Sequence, residues 1–390
     1  MEKLRVGIIG VGGMGSGHLS RFTEGKVKNA EITALCDIDP EHLYRHKDSL
    51  PETVQYFENS DDLIHSGLVD GVIIATPHYD HPLIAIEAFK AGLHVLTEKP
   101  AGVYTKKVRE MNEAAKASGK AFQIDFLVRT NPFYRKLKEI MDSGEMGQLK
   151  RIVWIITDWY RTQAYYDMGT WRATWAGEGG GTLLNQNPHQ LDLFQWMVGM
   201  PKRVRGFCYF GKRRNIEVED DATAYFEFEN GAVGTYITSV SEFPGTNRLE
   251  ISCDYGKIVY EDGKIKMYKT EIAEPEFNRT TANAFDSIPL EVTEVPVEND
   301  PDHDGLSIMI NNWVAAALTG EPLIAPGEEG INSLSISNAV YLSQWTDDWV
   351  ELPVDEDLFY EHLQEKIRTS TFVKGEIKKV NQSVEGTFHK

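Results

Sequence analysis

One turn constrains this chain more than any other feature. Residues 5–9 form a short apolar run rich in β-branched side chains, Gly10-Val11-Gly12-Gly13-Met14-Gly15 follows at once, and a helix-like stretch begins within the glycines. Between a strand and a helix, glycines at this spacing have a mechanical meaning. Gly10 permits the tight turn, Gly12 lets backbone approach a pyrophosphate, and Gly15 lets the helix pack against the sheet. Gly13 and Met14 fall at the helix start, where unpaired N–H groups and the positive end of the dipole attract phosphate. The chain is expected to open with a dinucleotide-binding unit.

The pattern downstream agrees. Strand-like runs at residues 31–36, 71–75, 94–97 and 121–126 are separated by helical stretches, among them 82–91, ending at Gly92, and 106–117, ending at Ser118-Gly119. Apolar strands alternating with helices predict an α/β fold on a parallel, doubly wound Rossmann sheet, assigned here to residues 1–126. Asp37 closes the second strand 22 residues after Gly15, where a carboxylate can accept both ribose hydroxyls and repel a 2′-phosphate. The following Ile38-Asp39-Pro40 brings no Arg or Lys to offset that repulsion, so NAD is favoured over NADP. Ligands of such sheets collect beyond the carboxyl ends of the strands. Two segments belong there: residues 75–82, with Thr76, Pro77, His78 and His81, and the tripeptide Glu98-Lys99-Pro100. Both are expected to face the nicotinamide half, with Lys99 kept extended at the crevice by the proline after it.

Beyond residue 126 the style changes. Residues 221–230 alternate apolar and polar side chains into a turn at Asn230-Gly231, and residues 248–253, 257–261 and 264–268 continue as a meander. This predicts an α+β domain over residues 127–375, on a large, mostly antiparallel open sheet, with a polar tail at 376–390. Residues 271–303 are acidic, carry Pro275, Pro289, Pro296 and Pro301, and read as an irregular surface excursion; helices are expected through 309–318 and 331–346. An open sheet leaves one face to cover, so a homodimer or homotetramer through it is expected.

Composition limits the partners. With 41 % hydrophobic residues, 390 residues suffice for two cores. Forty Lys and Arg against 59 Asp and Glu give a net charge of −19, which repels nucleic acid and anionic lipid. Cys36, Cys208 and Cys253 have neither zinc-site nor redox-pair spacing, and no apolar run approaches the roughly 18 residues of a membrane span. With a strand-like run starting at Leu4, no signal peptide is expected, and a reducing cytoplasm fits.

Gly179-Gly180-Gly181 and the segment to Asp192 concentrate the second signal. Asn187 is a good N-cap, Pro188 suits the first helical position, and Gln190 completes a capping-box spacing. His189 would then lie in the first turn, where the dipole disfavours imidazolium and leaves a ring able to accept a proton. Between Asp158 and Trp175, the residues Tyr160, Arg161, Tyr165, Trp171, Arg172 and Trp175 combine aromatic faces with fork donors. They suit a small polyhydroxylated substrate or an oligomer contact. Arg129, after the sixth strand, is a further substrate-side candidate. His78, Asp80 and His81, or His42 and His46, lack a full ligand set, so no metal is expected.

With these motifs in hand, the chain resembles the glucose-fructose oxidoreductase, inositol dehydrogenase and MocA family along nearly its whole length. The resemblance rests on the glycine turn, Ala75-Thr76-Pro77, Glu98-Lys99-Pro100, and the glycine run with His189 and Asp192. It implies NAD(P)-dependent oxidation or reduction of a sugar or cyclitol carbon, with Lys99 and His189 as catalytic pair and His81 beside the nicotinamide. Lys99 would stabilise developing alkoxide charge and His189 would take the hydroxyl proton. The family often has an aspartate four residues before the histidine, where this chain has Asn185, which can orient an imidazole but not stabilise its charged form. Asp192 reads as a buried structural acid. Two other classes fit the fold: a non-catalytic dinucleotide-sensing regulator, disfavoured by the presence of both Lys99 and His189, and a redox-cycling glycoside hydrolase.

Overall fold

The computed structural model describes residues 3–298 and 300–375. Its first sheet contains β1 Leu4–Ile9, β2 Ala30–Cys36, β3 Gln55–Phe57, β4 Gly71–Ile74, β5 His94–Thr97 and β6 Phe122–Ile124. The spatial order is β3-β2-β1-β4-β5-β6 with every pair parallel, so the strand order switches between β1 and β4. That switch point is where a crevice opens beyond the strand ends. Val6, Ile8, Ile73, Val95 and Leu96 are fully buried, as strands covered on both faces require.

Part of that cover comes from far along the chain. The helix Gly305–Thr319 packs with the helix Gly13–Thr23 against β1 and β5. Its Trp313 is fully buried against Gly71, where an added Cβ would stand 2.9 Å from the indole. The first layer therefore draws on residues that the sequence groups with the second domain.

The second sheet comprises β7 Leu149–Ile156, β8 Arg203–Phe210, β9 Glu219–Glu227, β10 Val233–Ser239, β11 Asn247–Cys253, β12 Gly256–Glu261, β13 Lys264–Thr270, β14 Leu290–Val295 and β15 Val350–Glu351. Its order is β14-β13-β12-β11-β7-β10-β9-β8-β15, antiparallel except where β10 runs parallel to β7. The helices Pro188–Val198 and Gly330–Thr346 cover one face, with Phe194 against Phe226 at a ring separation of 5.0 Å. On the other face Phe207, Tyr209 and Tyr225 are exposed.

Two expectations change. Residues 271–303 are not wholly irregular: they form the helix Glu274–Thr280 and β14, which pairs with β13 from Thr270↔Leu290 onward. Glu291 and Glu294 disguise an edge strand, where charged side chains are common. The capping box also fails, because Asn187 makes no side-chain cap and its Oδ1 accepts a 2.6 Å hydrogen bond from the Tyr236 hydroxyl. The tail expected at 376–390 lies outside the described residues.

Candidate active site

The glycine turn is closed on one side and open on the other. Gly10 has φ +88°, and a Cβ there would come within 2.7 Å of the Ala75 carbonyl. A Cβ on Gly15 would stand 1.8 Å from the Gly10 carbonyl, whereas at Gly12 and Gly13 it would meet nothing within 4 Å. Gly12 is the N-cap of the helix Gly13–Thr23, and Met14 is half-buried in its first turn, so the open side is the one that phosphate would approach. At the end of β2, Asp37 accepts from Val11 N at 2.7 Å and from Asp39 N at 2.9 Å, which holds its carboxylate beside the turn. Ile38 next to it is 89 % exposed. A cradle that a methyl group would fill, a helix N-terminus and an acid held beside the turn at the end of β2 together fit a dinucleotide.

Across the switch point, Thr76 and Pro77 follow β4, and Lys99 follows β5. Lys99 is half-buried, and its Nζ donates to the Asn185 carbonyl at 2.8 Å. Burial lowers its pKa; Glu98 opposes the shift, while Arg172 and Arg161 add to it. Glu98 turns inward, with Oε1 2.9 Å from His18 Nε2. Burial works against its ionised form, but the His18 hydrogen bond and the charges of His18 and Lys99 prevail and hold it down to about 2. Asp125, at the end of β6, is pushed well above the usual carboxylate range by burial and by Glu98. His81 is 1 % exposed, with Nδ1 2.8 Å from the Pro100 carbonyl and Nε2 2.7 Å from the Thr76 carbonyl. It ties the two strand-end segments together, and its ring nitrogens do not reach into the crevice.

His189 occupies the first turn of Pro188–Val198 and is 3 % exposed, with Nδ1 unpartnered. Burial and then the Lys99 charge lower its pKa to about 3, so the ring is neutral and able to accept a proton. Asn185 does something other than orient that ring. Its carbonyl holds Lys99, and its amide donates to the fully buried Glu178 carboxylate. Glu178 also accepts from Ala173 N and so anchors the loop that carries Trp171 and Arg172.

The substrate-side candidates divide. Arg161, Tyr165, Trp171 and Arg172 come together: the Arg172 guanidinium lies 4.4 Å from the Tyr165 ring centre and 4.2 Å from that of Trp171, and donates to the Tyr165 hydroxyl at 2.7 Å. Tyr160 is half-buried under Arg214. Trp175 is instead a core residue among Phe210, Tyr341 and Trp345. Arg129 is likewise committed elsewhere, with Nε and Nη2 each 2.7 Å from Asp192 and Nη1 2.6 Å from Glu329; both the Arg129 and Asp192 side chains are 1 % exposed.

Sequence reasoning missed His18, Asp125 and Glu178. Asp125 stands at a strand end and His18 one helical turn after Gly15, so the rule that singled out Lys99 could have reached them. His18, Glu98 and Asp125 bring possible metal-ligand atoms within 4.8 Å of one another, though the His18–Glu98 separation is that of a hydrogen bond.

Residues 4–126 match the family described as oxidoreductases with an NAD-binding Rossmann fold, and residues 134–259 match the GFO/IDH/MocA C-terminal domain. The chain belongs to the GFO/IDH/MocA family. It is an NAD-binding oxidoreductase of that family. Among its relatives is the inositol 2-dehydrogenase/D-chiro-inositol 3-dehydrogenase of Lactiplantibacillus plantarum, 25 % identical over 67 % of this chain and 71 % of that enzyme. The inositol 2-dehydrogenase of Salmonella typhimurium is 35 % identical over 37 % of this chain and 43 % of its own. The WlbA dehydrogenase from Bordetella pertussis, solved in complex with NADH and UDP-GlcNAcA, superposes with a TM-score of 0.75 at 26 % identity, covering 90 % of this chain and all of that one. Among the described residues, no helix is long and apolar enough to cross a membrane.

Proposed function

We propose that this protein is an NAD-dependent dehydrogenase or reductase acting on a secondary alcohol carbon of a sugar, sugar derivative or cyclitol. The observation that carries the reading is the pairing at the crevice: Lys99, its amine fixed by the Asn185 carbonyl, beside a buried, neutral His189. The inositol dehydrogenases and the nucleotide-sugar complex among its relatives support the substrate class.

When bound, NAD supplies the nicotinamide ring that takes or gives the hydride. Gly10 to Gly15 and Asp37 would hold the phosphates and ribose, Ile38 would lie against the adenosine half, and Thr76, Pro77 and Glu98-Lys99 would line the nicotinamide half. Lys99 donates to the reacting oxygen and stabilises negative charge as it develops there. His189 accepts the hydroxyl proton in oxidation and returns it in reduction. Asn185 positions Lys99 through its carbonyl. The substrate is recognised by Arg161, Tyr165, Trp171 and Arg172, with Tyr160 at the edge.

Lys99→Ala is the direct test. Turnover of a monosaccharide and inositol panel, read as NADH absorbance, is expected to fall by about a hundredfold or more, while NAD affinity stays within about threefold. Unchanged turnover refutes the assignment. Glycoside cleavage without NADH release would instead identify a redox-cycling hydrolase. We also infer a homodimer or homotetramer through the open sheet face bearing Phe207, Tyr209 and Tyr225; a monomeric mass in solution overturns it.

A further inference from the structure

Two arginines in the crevice are short of the anion that buried guanidinium groups require: Arg161 pairs with none among the described residues, and Arg172 has only a long ion pair to Glu178. Arg161 is 9 % exposed; it donates to the Tyr160 carbonyl at 2.9 Å and lies over the Trp159 and Tyr165 rings, 5.4 and 5.3 Å from their centres. Arg172 has a side chain 17 % exposed, and its nearest carboxylate is Glu178 at 3.9 Å. Glu178 is already occupied by the Asn185 amide and by Ala173 N. Lys374 adds a further cation, donating to the Arg172 carbonyl at 2.8 Å. A buried cation without a partner is costly, and stacking on aromatic rings offsets only part of that cost.

The arginines connect to the reacting end. Both guanidinium groups share the Tyr165 ring; its hydroxyl also accepts from Gln186 Nε2 at 3.1 Å, and the neighbouring Asn185 holds Lys99. We propose that the substrate carries an anionic group, a carboxylate or a phosphate, that docks on Arg161 and Arg172 while its hydroxyl meets Lys99. The planar forks of two arginines suit either oxyanion. This inference rests on the dehydrogenase reading of the same site and narrows its substrate to a charged sugar or polyol. The depressed Lys99 pKa, to which both arginines contribute, fits a shared pocket.

The test uses matched compounds on the NADH-loaded full chain: D-glucose, D-glucuronate and D-glucose 6-phosphate, with the corresponding galactose set. Calorimetry is expected to show at least one anionic member binding about tenfold or more tighter than its neutral parent. Which arm binds separates carboxylate from phosphate. The preference should collapse in Arg161→Gln and in Arg172→Gln, return in part in Arg172→Lys, and weaken as salt is raised. Retained NADH affinity certifies that the variants fold. Neutral parents binding as tightly as every anionic counterpart, no binding by any anionic compound, or a preference that survives both substitutions overturns the proposal. Parallel NADH formation from NAD separates the two readings. Turnover of neutral polyols without anionic preference refutes only the anion site, whereas arginine-dependent anion binding without turnover of any compound supports the anion site and counts against the dehydrogenase.

Discussion

Gly12→Ala separates the fold from the cofactor. At Gly12 φ is −68°, and an added Cβ meets nothing within 4 Å, so stability should change by less than about 1 kcal/mol. The same methyl fills the space that lets backbone N–H groups reach the pyrophosphate. Losing one or two charge-assisted hydrogen bonds costs about 2–4 kcal/mol, or roughly 30- to 1000-fold in NAD affinity. At an NAD concentration of about 100 times the native Kd, ligand linkage stabilises the native protein by about 2.7 kcal/mol, but the variant by less than about 1 kcal/mol. Urea unfolding with and without NAD reads both terms. Gly15→Ala is the contrasting control, because its Cβ would stand 1.8 Å from backbone oxygen and must disturb the fold whether or not NAD is present. A Gly12→Ala protein that gains native-like stabilisation from NAD would refute the placement of the pyrophosphate over this turn.

The remaining expectations concern buried charge. Arg129→Met strands the Asp192 carboxylate with Gln195 as its remaining donor, and should lower unfolding free energy at neutral pH by about 3–5 kcal/mol; a loss below about 1 kcal/mol by chemical denaturation contradicts a structural role. His189 has its folded pKa lowered to about 3, so the unfolded chain binds the extra proton between about pH 6.5 and 3. Its contribution to stability is complete above that window and is lost as pH falls, by up to about 1.4 kcal/mol per pH unit. His189→Gln should flatten the acid side of the stability profile by that amount, and an unchanged profile counts against a buried neutral ring.

Local chemistry was legible in the sequence because contiguous residues build it. The glycine turn, Asp37 at the end of β2, Lys99 at the end of β5 and His189 in a first helical turn each depend on an element and the few residues beside it. These sufficed for the fold class and the cofactor, and they supply the reacting groups proposed above. Partners across the fold were not legible, since a residue type specifies what it can bond and not what packing brings to it. Glu98 meets His18 across 80 residues, and Lys99 meets the Asn185 carbonyl across 86. Arg129 and Trp175 have compositions suited to a substrate, yet the structure buries one against Asp192 and the other in an aromatic core. Asn185 reads in sequence as a weakened partner for His189, and only in three dimensions does Glu178 stand against its amide. The helix Gly305–Thr319 returning to cover the first sheet belongs with these, because burying an apolar layer is decided by the assembled surface and not by position along the chain.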